Sequence, residues 1–378
     1  MTRYAIGIDV HKRTCTAHIV CADYGEQSNN ATEFIKAFNE KFKRFPSSAS
    51  GMLDMAREIR NKRCCILIEN STKSHEIYWL LRAMELDVTV AHSVELYRIT
   101  RSLRKNDVKD AKELAGYMRR KMNGEIEFHE SFIPSHGWMK RRELCRFLCD
   151  DKNILTDTKK QIRAYLLLHG IHTSKEYPDI TSKAAMMELH SINDKVLRFY
   201  LARAQSLKDR CSFCERAIKD EFKDERIFDI IYSITGAGVL TASYITSMII
   251  DLDRFPNKKA FAAYFGLVPK QYASGESDPD CGITRRGDAI ARKLLYQMTF
   301  VHIHYEEGSF ITAKYGRLRG HGKSHNEAIV ACANSMLQMI FTLLDEDRKF
   351  ISDPLKLAEG RKRADEMTES EEETIPEE

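Results

Sequence analysis

The sequence predicts a sheet-first α/β domain followed by a long, mostly α-helical remainder. Two observations predict it. Up to Ala91, short runs rich in β-formers alternate with turn residues and one helical stretch after another. Beyond Asp107, the apolar residues instead recur at steps of three and four over long stretches.

The first run, Tyr4–Val10, is apolar and nearly uncharged, and it reads as a strand buried in a sheet. It carries Asp9, and a carboxylate at the end of a buried strand is costly unless something positive sits against it. A cap or a surface turn is the plain reading of Asp9, and a metal ligand is the sharper one. Thr14–Cys21 is a second strand, and Asp23-Tyr24-Gly25-Glu26 is turn chemistry. A third strand is expected near Ala31–Ile35. Ser47 or Ser48 caps a helix through Met52, Met55, Ala56 and Ile59. Cys64–Ile68 is again a buried strand followed at once by an acid, Glu69. A helix from about His75 to Met84 and a strand Val88–Ala91 complete the domain. Three strands, helix, strand, helix, strand, helix is the order of the RNase H-like fold.

The next helix holds KNDVKDAKELAGYMRRK, with Val108, Ala111, Ala115 and Met118 as its apolar stripe. Asp107 and Asp110 are three apart, so they share one face at the edge of that stripe. There they can lean over the strand ends that carry Asp9 and Glu69. Like charges at this spacing cost stability on a bare helix. A divalent cation, or the nearby Arg98, Arg101, Arg104, Lys105 and Lys109, would offset the cost. The pair alone reads as a solvated helix face. Two strand-end acids together with the pair, in this fold order, read as a site for Mg²⁺, which takes hard oxygen ligands and serves phosphoryl transfer.

From about Phe132 to Lys223 the chain is helical, with a loop through Gly170, Pro178 and Asp179. Leu197, Tyr200, Ala204, Leu207, Cys211, Cys214 and Ile218 form an a/d seam. A coiled coil or helical hairpin is expected, with a dimer contact along it. Cys211 and Cys214 have C-x-x-C spacing, but both lie on the seam, so they read as small core residues rather than metal or redox ligands. Cys145 and Cys149 read the same way.

A third segment starts near Ile227. Gly236-Ala237-Gly238 opens a helix and resembles the hairpin of helix–hairpin–helix DNA-binding modules. Free backbone N–H groups for a phosphate and tight helix packing explain it equally well. Further on, Gly316, Gly320 and Gly322 stand among Arg317, Arg319, His321 and Lys323. This reads as a loop that follows a nucleic-acid backbone just before a strongly amphipathic helix. The expected divisions are residues 1–130, 131–225, 226–347 and an acidic, disordered tail over 348–378.

The chain has 378 residues, enough for two or three domains. Its formal net charge is +4, yet the stretch from Ala364 holds eight acidic residues and no basic one, so the rest carries eight units more, +12. A basic body suggests a polyanionic partner, and nucleic acid is the first candidate. The N-terminus runs straight into a strand, and no run approaches the roughly 20 apolar residues of a membrane span. Ten cysteines read as free thiols in a reducing compartment, with the cytoplasm expected.

Taken in order, IGIDVHK, ILIENSTKSHEIYWLL, VTVAHS, KNDVKDAKELA, SITGAGVLTASYI, DLDRFPNKKAFAAYFGLVP, QYASGE, GITRRGD and GKSHNEAIVA resemble the transposases of the insertion-sequence-110 family. These are DEDD-type recombinases guided by a bridge RNA, whose relatives include a pilin-gene DNA invertase. The resemblance covers almost the whole chain. It implies a RuvC-like first domain, with Asp9, Glu69, Asp107 and Asp110 as its metal-binding tetrad. It also implies a catalytic serine, Ser274, which attacks a DNA phosphodiester to form a phosphoserine link. Glu276 and Ser277 stand where the family commonly has two glycines, so Ser277 is a second candidate nucleophile. Arg285 and Arg286 follow closely and would hold phosphates, as would Arg104, Lys105 and Lys323.

The expected function is therefore a transposase or site-specific recombinase acting on double-stranded DNA with Mg²⁺ and a structured guide RNA. It would work as a homodimer that forms a tetramer in synapsis. The alternatives are a DNA invertase of the same family, a metal-dependent nuclease of the Holliday-junction-resolvase type that needs no Ser274, and an inactive RNA-binding protein that docks on DNA.

Overall fold

The computed structural model describes residues 2–25, 28–92, 106–128, 130–268 and 287–352. The chain divides into two compact units, one ending at Ile133 and one starting at Pro134.

The first unit is built on a five-stranded sheet. Its strands are β1 (Arg3–Val10), β2 (Thr14–Cys21), β3 (Phe45–Pro46), β4 (Arg63–Glu69) and β5 (Asp87–Ala91), in the spatial order β3-β2-β1-β4-β5. β2 is antiparallel to both β1 and β3, whereas β1, β4 and β5 run parallel. The crossovers supply helices α1 (Asn29–Lys41), α2 (Ala49–Ile59) and α3 (Ser74–Ala83), and α4 (Asp107–Met122) follows. Ser48 caps α2, accepting from the Gly51 N–H. Side chains alternate across β1. Ile6 and Ile8 face a core shared with Phe38, Met52, Met55 and Ile77. Ala5 faces a second core with Leu67, Ala91, Leu114 and Met118. α4 therefore covers one face of the sheet, and α1, α2 and α3 pack against the other.

The strand expected at Ala31–Ile35 is a helix instead. Ser28 caps it by accepting from the Ala31 N–H at 3.3 Å. Ala31, Phe34, Ile35 and Phe38 then line one helical face, and a Tyr4–Phe34–Phe38–Phe42–Phe45 aromatic chain ties it to the sheet. The third strand is the short β3.

The second unit is helical. α5 (His136–Leu168), α6 (Lys183–Ser191) and α7 (Lys195–Phe222) come first. α8 (Arg226–Tyr232), α9 (Val239–Ile249), α10 (Lys258–Tyr264), α11 (Ala289–Tyr305), α12 (Phe310–Gly320) and α13 (His325–Asp345) follow. The α7 seam is buried, but against α5 of the same chain. Leu201, fully buried, takes the place on it expected of Tyr200, which is half-exposed. The heptad pattern thus makes a helical hairpin within the chain. Cys145, Cys149, Cys211 and Cys214 are all buried in the hairpin core, as read from their spacing.

Gly236 has φ +95°, and a Cβ there would stand 2.4 Å from the Met298 carbonyl on α11. Close packing therefore accounts for this glycine. The basic loop expected before α13 is largely helix, since Gly316, Arg317 and Arg319 lie within α12 and only a short turn precedes the α13 capping box of Ser324 and Glu327. Contrary to the expectation that no run is long enough, α13 is, among the described residues, one helix long and apolar enough to cross a membrane. It is packed into the core instead, with Ile329, Cys332, Met336, Leu337 and Ile340 fully buried.

Candidate active site at the carboxylate end of the sheet

β1 and β4 are in parallel register up to Ile8 opposite Ile68. The next residues are Asp9 and Glu69, so the two acids leave neighbouring strands side by side, about 4.8 Å being the usual strand spacing. By alternation Asp9 lies on the Ala5–Gly7 face and Glu69 on the Leu67 face, and both of these are the face that α4 covers. Glu69 is exposed and ends β4, paired with Ala91 of β5.

α4 reaches that face through Gly7. A Cβ on Gly7 would stand 2.2 Å from the Ala111 carbonyl oxygen and 2.3 Å from the Ala115 nitrogen. Only a glycine admits helix backbone that close. Asn106 caps the helix by accepting from the Val108 N–H at 3.1 Å. Asp107 and Asp110 fall in the first turn, where the unpaired N–H groups and the helix dipole favour carboxylates.

His11 joins the cluster. It sits just past β1, where its backbone N–H donates to Thr14 O at 2.9 Å and folds the chain into β2. Its Nε2 lies 3.3 Å from Asp9 Oδ2 and 3.3 Å from Asp107 Oδ1. Asp9 is the least exposed member, with its side chain 15% exposed against 59% for Asp107. Burial pushes the Asp9 carboxyl above its ordinary range; His11 pulls it down, and the charges of Asp107 and Asp110 push it up again. Asp9 thus feels the charges of both Asp107 and Asp110.

A ligand atom from each of Asp9, His11 and Asp107 lies within 4.8 Å of the others. Two carboxylates and an imidazole converging on one point fit a divalent cation, and a cation there would relieve the crowding of the acids. His11 was not singled out in the sequence. Its position two residues after Asp9 was the available signal, but nothing local shows that the turn after β1 folds it back toward α4.

Of the other site candidates, Lys323 is exposed in the turn before α13, where its N–H donates to Leu318 O at 3.2 Å. Ser274, Ser277, Arg285, Arg286, Arg104 and Lys105 lie outside the described residues, as do Arg98, Arg101 and the acidic tail.

Residues 6–171 match a DEDD transposase model of IS110 type, and residues 229–313 match the Transposase IS116/IS110/IS902 family. The first match contains all four carboxylates and His11. The chain is similar to the transposase for insertion sequence element IS1328 of Yersinia enterocolitica, at 29% identity over 46% of this chain and 52% of that protein. It also resembles the transposase for insertion sequence element IS1111A of Coxiella burnetii, at 28% identity over 32% of this chain and 33% of the relative. A probable family 20 transposase of Pseudomonas aeruginosa is 30% identical over 27% of this chain and 30% of its own length. These matches span about half or less of the curated relatives. Two family models match in chain order, one within each half of the protein, and both are of the IS110 type. The chain belongs to the IS110 family of transposases.

Proposed function

We propose that this protein cuts and rejoins double-stranded DNA in transposition, using the carboxylate cluster of a RuvC-like, RNase H-like first domain. The observation that carries this reading is the convergence of Asp9 and Asp107 on His11, with Asp110 in the same helical turn as Asp107. The strand order β3-β2-β1-β4-β5, with acids at the ends of its two central parallel strands, supports the fold assignment.

In this reading Asp9, Glu69, Asp107 and Asp110 hold Mg²⁺, which when bound supplies Lewis acidity at a phosphodiester oxygen. The protein's own residues do the rest. Asp9 is fixed by the sheet and Asp107 by the helix cap, so the ligands are set before DNA arrives. Ser274 is the nucleophile. Its Oγ gives up its proton and bonds to phosphorus, one DNA P–O bond breaks, and the departing sugar oxygen takes up a proton in its place. The resulting phosphoserine is resolved when a hydroxyl of the exchanged strand attacks in turn. Arg104, Lys105, Arg285, Arg286 and Lys323 bind phosphates. A bridge RNA selects the DNA sites by base pairing. The working form is a homodimer that becomes a tetramer in synapsis, in the cytoplasm. The same residues would serve a DNA invertase.

The test is covalent trapping. The protein is incubated with Mg²⁺, its co-purified RNA and labelled DNA spanning the element junction, then denatured and examined for DNA attached to protein. An adduct lost in Ser274→Ala, kept in Ser277→Ala and lost in Asp9→Ala is the expected outcome. Metal-dependent cleavage with no adduct, unaffected by Ser274→Ala, would sink the serine mechanism and leave a resolvase-type nuclease.

A further inference from the structure

The two central parallel strands carry opposite charge at their two ends. β1 begins at Arg3 and β4 at Arg63, and the register sets these arginines side by side. The same strands end at the carboxylates, Asp9 just before the last residue of β1 and Glu69 as the last of β4. At about 3.3 Å per residue the two ends lie roughly 20 Å apart.

A cleft of about 970 Å³ opens at the basic end, lined by Arg3, Arg57, Arg60, Lys62 and Arg63. Glu85 and Asp87 are the acids on its wall. Some of the positive charge is already engaged: Arg3 pairs with Asp23 at 2.7 Å, and Arg57 with Asp54 at 3.5 Å. Arg60 and Arg63 are exposed and have no ion-pair partner among the described residues. The Asp87 carboxylate accepts from the Cys65 thiol at 3.2 Å. Burial pushes the Cys64 and Cys65 thiols up to about 12, so the lining gains no thiolate charge at neutral pH.

Arg3 and Arg63 stand side by side at this end, Arg3 held by Asp23 and Arg63 open to solvent. A small anion needs donors that converge on one point. Here five cationic side chains are spread around an open cleft, an arrangement suited to a row of phosphates.

We propose that this cleft binds the sugar–phosphate backbone of a nucleic-acid segment distinct from the one presented to Asp9. The roughly 20 Å between the two ends is too far for one phosphate to serve both. The proposal rests on the reading that the chain acts on nucleic acid, and it is independent of the metal.

The test is fluorescence anisotropy on the full chain, with a labelled DNA duplex and a labelled RNA hairpin of arbitrary sequence, titrated between ~50 and ~200 mM salt. Wild type is compared with Arg60→Glu/Arg63→Glu. Arg57→Glu/Lys62→Glu serves as a second reversal should the first fail to fold by circular dichroism. The expected result is an affinity loss of about tenfold or more, with a salt slope shallower by about two. Loss on DNA alone makes a duplex the occupant, loss on RNA alone makes it RNA, and loss on both makes it a shared phosphate site. Wild-type binding to both probes with unchanged affinity and slope in the reversals overturns the cleft and leaves the proposed function standing. A wild type that binds neither probe overturns both.

Discussion

Gly7 of β1 lies directly under Ala111 of α4, so close that a Cβ on Gly7 would stand 2.2 Å from the Ala111 carbonyl oxygen. This contact seats α4, whose first turn carries Asp107 and Asp110, on the sheet. Gly7→Ala must push the helix away, because the obstructing atoms are backbone and cannot rotate aside. We expect a stability loss of about 1–3 kcal/mol or more, seen as a lower midpoint in denaturant. Calorimetry should show divalent-cation affinity falling with it. A stable Gly7→Ala that binds metal like wild type would refute this role for the contact.

His11 bridges Asp9 and Asp107. Whether it binds a cation directly or holds the two acids in place, removing it loosens the site. His11→Ala should weaken Mn²⁺ binding by roughly 10- to 100-fold, as is common for groups that ligate or orient ligands. Titration followed by electron paramagnetic resonance reads this without any turnover, and equal affinities would assign His11 to the surface.

The buried seam of α7 gives a third expectation. Leu201 is fully buried between α7 and the other helices of its own chain. Leu201→Ala should cost about 2–5 kcal/mol of stability while leaving the mass measured by light scattering unchanged. A dissociated oligomer with unaltered unfolding would return the seam to a role between protomers.

His302 sets a pH dependence in the second unit. It is fully buried on α11, with Nδ1 3.1 Å from Thr235 O and Nε2 2.8 Å from Ser309 Oγ. Burial lowers its pKa, while the Thr235 carbonyl and the nearby Glu306 act the other way. The unfolded chain therefore takes up the proton more readily than the folded one. His302 contributes its stability above the ordinary histidine pKa of about 6.5 and loses it as pH falls through that value toward the lowered folded one. Urea midpoints at pH 7.5 and pH 5.5 should differ less in His302→Gln than in wild type. An identical pH response in the two proteins would contradict the assignment.

The positions of the four acids on strand ends and one helix turn are legible in the sequence, and for a physical reason. Strand ends are visible where an apolar run stops at an acid, so Asp9 and Glu69 stood out, and the three-residue spacing of Asp107 and Asp110 placed them on one helix face. His11 was not legible, because its role depends on a turn after β1 and on the arrival of α4 from about a hundred residues away. The Ala31–Ile35 segment misled because Phe34 and Ile35 suit a strand as well as a helix. The Ser28 cap and the packing of Phe38 on the sheet decide the matter. The α7 seam is buried as its period predicts, apart from Tyr200, but periodicity cannot say which helix covers it. The Gly316–Lys323 stretch looked like a loop because its glycines punctuate basic residues. In the fold, Gly316 is tolerated inside α12, where a Cβ would meet nothing within 4 Å.

The most direct measurement is divalent-dependent cleavage of junction DNA, in the presence of the co-purified RNA, by wild type, Asp9→Asn and Asp107→Asn. If the carboxylates beside His11 are the catalytic centre, both variants should lose cleavage by roughly a thousandfold or more while still binding DNA with wild-type affinity. Cleavage that persists in both variants, or that needs no divalent cation in wild type, would contradict the assignment of this site.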